Sequence, residues 1–147
     1  MRSQTSRRSA ILTSLADLFS KIDGSGTYRS EVRDVSPRLK FWDEIQEFPA
    51  IHMNAGSESR IYQGGGHKDR YMLVTIRCYV QEENSVDALE ALLEDVETVL
   101  DENGRLAYLD STGAQQFTRD IVVLGIDSDE GVLDPIGVGE ITVQVKY

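Results

Sequence analysis

The side chains able to do chemistry here are two histidines, one cysteine and a surplus of carboxylates. A nucleophile needs a base within hydrogen-bond reach. Cys78 falls on the apolar face of a strongly alternating segment, where a buried thiol is inert. His52 falls in a second extended segment and His67 in a glycine-rich tip. A Cys78–His52 couple is the one pairing to weigh, and packing explains both residues without it. Gly64-Gly65-Gly66-His67-Lys68-Asp69 is no phosphate loop, because that motif needs Gly-Lys-Ser/Thr opening a helix and a strand follows here. It reads as a hairpin tip or a mobile contact loop. Asp127, Asp129 and Glu130 gather oxygens but lack the spacing and closing glutamate of a calcium loop, so they read as a solvated acidic turn. Asp95, Asp101 and Glu102 stand apart from any histidine or cysteine, so no transition-metal site is expected. The reading is therefore of a protein without catalytic residues, metal or cofactor.

The elements that carry these residues follow from periodicity. Ile11, Leu12, Leu15, Leu18, Phe19 and Ile22 share one helical face, which predicts a helix over 9–22, stopped by Asp23-Gly24-Ser25-Gly26. Residues 1–8 are expected to be a flexible N-terminal segment. Tyr28–Val35 can form a strand that Ser36-Pro37 ends. A short helical turn is expected within 38–48. From Pro49, the residues Ile51, Met53 and Ala55 alternate with His52 and Asn54.

Met72, Val74, Ile76, Cys78 and Val80 then make an unbroken apolar face, the mark of a sheet buried on one side. Ser85–Glu102 is the clearest helix, capped by Asn84 or Ser85 and ended by Asn103-Gly104. Its stripe includes Leu89, Leu93 and Val96. Its outer face carries Asp87, Glu90, Glu94, Asp95, Glu97, Asp101 and Glu102, and reads as solvated. Thr118–Asp127 has Ile121 and Val123 on one face and Val122, Leu124 and Ile126 on the other, which predicts burial on both sides. Val138–Tyr147 alternates cleanly. The sum is one α+β domain over 1–147. It has an antiparallel or mixed sheet, two amphipathic helices on one face, and a long hairpin arm. The expected core includes Leu15, Phe19, Met72, Val74, Ile76, Leu89, Leu93, Val96, Ile141 and Val143.

Composition excludes some functions. Twenty-five acidic residues face fifteen basic ones, for a formal charge of −10. Nucleic-acid binding rests on Lys and Arg neutralising phosphates, so this chain is a poor candidate for gripping DNA, though it can lie beside it. One cysteine forms no intrachain disulfide and fits a reducing compartment. The polar start with three arginines in the first ten residues is not a signal peptide. No apolar run approaches the roughly 20 residues that cross a bilayer, so no membrane partner is expected.

Several segments together suggest a family. Phe48-Pro49-Ala50-Ile51 leads into Ala55-Gly56-Ser57-Glu58, a long hairpin and the strand 71–80. The acidic helix with Leu89-Glu90-Ala91-Leu92-Leu93-Glu94-Asp95-Val96 follows, then Asp129-Glu130-Gly131 and Pro135-Ile136-Gly137-Val138-Gly139-Glu140. This order resembles the tail terminator family of long-tailed bacteriophages (tail completion, minor tail protein U-like), from about residue 9 to the end. The resemblance implies a hexameric ring on the last ring of the tail tube. Such a ring stops tube growth and offers a docking surface to the head-side connector or neck protein, with DNA only passing through. It implies a virion tail component assembled in the host cytoplasm. Two other readings compete: another head–tail joining protein (neck or head completion), and a small bacterial protein-interaction domain.

Two sets of contact residues follow. Residues 57–70 read as a protruding, mobile arm that docks on the tail tube, with Arg60, His67, Lys68, Asp69 and Arg70 as its candidate contacts. A ring of identical subunits needs two different complementary patches. Arg29, Arg33, Arg38 and Lys40 are candidates for one patch, and Glu94, Glu97 and Asp101 for the other.

Overall fold

A computed structural model describes residues 6–147, the Trp42 side chain excepted. Residues 1–5 of the expected flexible segment lie outside the described residues. Arg7 and Arg8 do not belong to such a segment: helix α1 runs Arg7–Phe19, with the Ser6 hydroxyl accepting from the Ser9 N–H at 3.1 Å. That side-chain cap satisfies an amide the helix itself leaves free, which is why the helix starts two residues earlier than expected. Ile11, Leu15, Phe19 and, just past the helix, Ile22 are fully buried.

The next expectation is corrected. No strand occupies 28–33; strand β1 is only Asp34–Ser36. The Asp95 carboxylate accepts from the Arg29 and Ser30 N–H groups at 3.0 and 2.8 Å, so neither amide is available to a ladder. Val32 donates to Ile22 and Arg33 to Pro49. A single helical turn, Trp42–Glu44, falls within the segment where one was expected.

Strand β2 (Ala50–Tyr62) and strand β3 (Lys68–Gln81) form the long hairpin, with Gly64–Gly66 as a tight turn at its tip. Ile51 and Met53 face the core, and His52 lies on the other face. A bulge between Ala55 and Glu58 then shifts the register by one residue. Helix α2 is Ser85–Glu102, with the Asn84 side chain capping Asp87 N–H. Its buried face holds Leu89, Leu92, Leu93, Val96, Val99 and Leu100.

Strands β4 (Ala107–Leu109) and β5 (Gln115–Phe117) make a small separate hairpin. Strands β6 (Asp120–Ser128) and β7 (Ile136–Lys146) complete a mixed five-stranded sheet of order β1-β2-β3-β7-β6, antiparallel except for β1 against β2. Both helices lie on one face of this sheet, α1 against β2 and the small hairpin, α2 across β3, β7 and β6. Between them sits the core, which contains every residue expected there.

Two glycines set how closely α2 lies on the sheet. A Cβ at Gly137 would sit 2.8 Å from Val80 Cγ2 and 3.1 Å from the Ser85 carbonyl, and one at Gly139 would sit 3.0 Å from Leu93 Cδ2. Neither residue has left-handed backbone, so the requirement is space, the close approach of helix to strand.

The reading of 118–127 as buried on both sides does not hold. β6 is an edge strand, and only Ile121 on it is buried. A bulge between Val123 and Gly125 leaves Leu124 without a cross-strand partner and breaks the alternation. Val122 then pairs level with Gln144 on the outward face, while Ile126 pairs level with Ile141 on the helix face. All three remain 40% or more exposed.

Candidate assembly surfaces

The structure first disposes of the one catalytic pairing worth weighing. Cys78 stands opposite Ile51, and His52 opposite Arg77. Neighbouring positions on a strand point to opposite faces, so thiol and imidazole are separated by the sheet. Burial pushes the Cys78 thiol up to about 12, far from a nucleophile's range. His52 Nε2 lies 3.0 Å from Asp34 Oδ2, which ties β1 to β2, and the ring packs on Tyr79 at 5.4 Å. These are packing roles.

The hairpin arm is real in outline. Pairing between β3 and β7 stops at Tyr71–Lys146, and just beyond it the Arg70 carbonyl takes the Tyr147 N–H at 3.0 Å, so from Ile61 to Asp69 the backbones of the two strands pair only with each other. The bulge explains its character. Had alternation continued past Ala55, Ile61 would face the helices; the extra residue turns Glu58, Arg60 and Tyr62 to that side instead.

All five candidate arm residues are gathered there. Arg60 pairs with Glu58 at 2.8 Å and stands opposite Arg70. Asp69 pairs with Arg119 at 3.0 Å and accepts from Gln63. His67 sits at the exposed tip, its carbonyl taking the Gln63 N–H at 2.7 Å, and Lys68 stands opposite Tyr62. Ile61 and Tyr62 are exposed apolar side chains beside them.

The base of the arm is fastened around Tyr147, a residue that sequence reasoning placed only on the last strand. The Tyr147 hydroxyl donates to Glu58, and the Tyr147 ring lies beneath the guanidinium groups of Arg7 and Arg70 at 5.3 and 5.7 Å. Burial pushes the Tyr147 phenol up, reinforced by the Glu58 charge. Burial works against ionisation of Glu58 too, but the hydrogen bonds from Tyr147 and Arg60 outweigh it and hold that carboxyl below its usual range.

The two charge patches are placed as follows. Arg29, Arg33, Arg38 and Lys40 are exposed on the segment preceding β2. Glu94 and Asp101 are exposed and Glu97 half-buried on α2. Arg29 and Glu94, assigned to opposite patches, meet within one chain at 3.1 Å. Both are about 60% exposed, so this bond is weak and exchangeable.

One member of the acidic face is not on the surface at all. Asp95 is buried, 3% exposed, and serves as the anchor of the 29–30 loop. Its place between Glu94 and Val96 gives no sign of this. The small β4–β5 hairpin was also missed, although its turn is written in Asp110-Ser111-Thr112-Gly113. The Asp110 carboxylate accepts from the side chain and N–H of Thr112 and from Ala114 N–H. Those bonds, the Thr112 hydroxyl first, lower its carboxyl to about 2.

The outward face of the sheet carries a groove of about 590 Å³ between Phe41, Tyr79, Leu133, Ile136 and Val138, rimmed by Lys40, Arg77 and Glu140. Neither α1 nor α2 covers this face; Ile45 and Phe48 pack over Ala50 and Tyr79 on part of it. Among the described residues, no helix is long and apolar enough to cross a membrane. The molecule thus offers an arm, two sheet edges and an open face, with its polar chemistry spent on fastening loops.

Comparison with known proteins agrees with such a part. A profile of the bacteriophage tail tube terminator protein family matches residues 5–147. The chain is 30% identical over 149 residues to the tail tube terminator protein p142 of Escherichia phage T5, covering 95% of this chain and 92% of the relative. Among solved structures, a chain in the virion of a native gene transfer agent particle shares the fold, with a TM-score of 0.58, 8% identity and 95% of each chain covered. The chain therefore belongs to the bacteriophage tail tube terminator family, non-enzymatic structural components of the virion tail.

Proposed function

We propose that copies of this chain close a ring, a hexamer, on the head-proximal end of the tail tube. The ring stops tube growth and presents the docking surface for the head-side connector or neck protein. The observation that carries this reading is the identity to a tail tube terminator over nearly the whole of both chains. The readings as a neck or head-completion protein and as a bacterial interaction domain lose their support with the family match.

The arm is the contact with the tube. Its tip is polar and glycine-rich, and Arg60, His67, Lys68, Asp69 and Arg70 lie beyond the part of the hairpin that pairs with β7. The cationic residues ahead of β2 and the acids Glu94, Glu97 and Asp101 serve contacts between copies, with the Arg29–Glu94 bond exchanging its partner on assembly. Such pairs are singly weak and screened by salt. The net charge of −10 suits a channel through which DNA slides without adhering. The test is tube length in phage lacking this chain. Tubes that overrun their normal length, restored by supplying the protein, are the expected result; tubes of normal length contradict the reading.

A further inference from the structure

The five-stranded sheet has two unfinished edges, and they match. On one side lies β6, nine residues long. On the other, β1 pairs only with Ala50–His52, leaving Met53–Tyr62 of β2 without a neighbouring strand on that side among the described residues. Exposed edges normally carry guards such as lysine, proline or an inward charge. From Ile121 to Ile126, β6 has none of these, and its exposed side chains include Val122, Leu124 and Ile126. Its one guard is the bulge at Leu124.

Strand direction, height and charge all point to a second copy as the occupant. β2 to β3, β3 to β7 and β7 to β6 are each antiparallel, so β6 runs opposite to β2. A copy rotated about an axis along the strands keeps its strand directions. Its β2 therefore meets the first copy's β6 antiparallel, and the alternation continues unbroken. The heights agree as well. Through the ladder, Asp120 is level with Ser59 and Ile126 with Met53, both on the free edge, while Asp127 and Ser128 stand level with the stretch that β1 covers. The bulge of β6 falls almost level with the bulge of β2. Residues 120–134 carry Asp120, Asp127, Asp129, Glu130 and Asp134 and no lysine or arginine. The β2 edge is flanked by basic side chains in a chain with few of them: Arg8, whose guanidinium donates to the Gly56 carbonyl, then Arg38, and Arg60, which already pairs with Glu58 on the same strand.

We propose that β6 of one copy pairs with the free edge of β2 in the next, joining the sheets into one continuous band around the ring. This rests on the ring proposed above and names the surface that closes it. Each contact is head-to-tail, so one subunit uses both edges, and of the sheet's edges beside the seam only that of the three-residue β1 is left when the ring is closed.

The test places Val122→Cys together with Asn54→Cys, Ser59→Cys or Ile61→Cys, three registers along the free edge. All four positions are exposed on the outward face, and native Cys78 is buried. Tails assembled with each full-length double variant are mildly oxidised, run on a non-reducing gel and imaged. A ladder of linked multimers from at least one register, absent from each single-cysteine variant, is expected. Rings visible at the tube end with no ladder in any register would overturn the edge pairing and leave the ring intact. Absence of a ring in unmodified tails would overturn both. Val122→Lys with Leu124→Lys gives an independent check: a melting curve like the parent protein's with loss of the ring is expected, and rings retained would overturn the pairing.

Discussion

The two halves of the β2–β3 hairpin are made from one continuous pair of strands and have opposite fates. Below the bulge, Ile51 and Met53 face Cys78, Ile76 and the helices, and all four side chains are fully buried. Above it, Arg60, Ile61 and Tyr62 are exposed. One inserted residue at Gly56–Ser57 separates the two by turning the apolar-facing parity outward. On the proposed role of the arm, stability and assembly are divided along a single element.

That division can be broken most severely from below. Leu93→Ala or Ile76→Ala removes a side chain that is at most 2% exposed. Each should cost about 2–5 kcal/mol in a denaturant titration. A smaller loss follows from Gly137→Ala, whose new methyl meets Val80 and the Ser85 carbonyl. About 1–3 kcal/mol is expected for such overpacking, again from denaturant unfolding. Asp95→Asn keeps the shape and removes the charge that takes the Arg29 and Ser30 amides. A loss of about 1–2 kcal/mol is expected, with faster hydrogen exchange at those two amides and unchanged exchange in β7. At the far end of the scale, deleting Gly64–Gly66 should change stability by no more than about 0.5 kcal/mol, yet abolish docking on tail tubes. A deletion that unfolds the protein, or one that docks normally, would erase the contrast between the halves.

Much of the lower half was legible from side-chain pattern. Met72 to Val80 and Ile141 to Tyr147 alternate without a fault, and the Leu89–Leu93–Val96 stripe fixes the buried face of α2. What the pattern hides is backbone irregularity. An alternation rule applied across 120–128 puts Val122, Leu124 and Ile126 on one buried face, whereas the bulge splits Val122 from Ile126 and the edge position exposes them. The same kind of insertion converts 57–62 from strand core to arm.

Asp95 was unreadable for a different reason: its partners are backbone amides 65 and 66 residues away, and amides have no sequence signature. The arm candidates are together in space as the sequence suggested. Arg29 and Glu94, in contrast, were separated on paper and are bonded in one chain. Charge type shows which residues can pair and gives no account of where the fold brings them.

The central claim concerns the copies acting together, so the most direct measurement is a cryo-EM map of finished tails from phage carrying this chain. One closed ring of six copies on the head-proximal end of the tube, with the glycine tips toward the last tube ring, is the expected result. A single copy, an open arc, or density anywhere other than the tube end would contradict it.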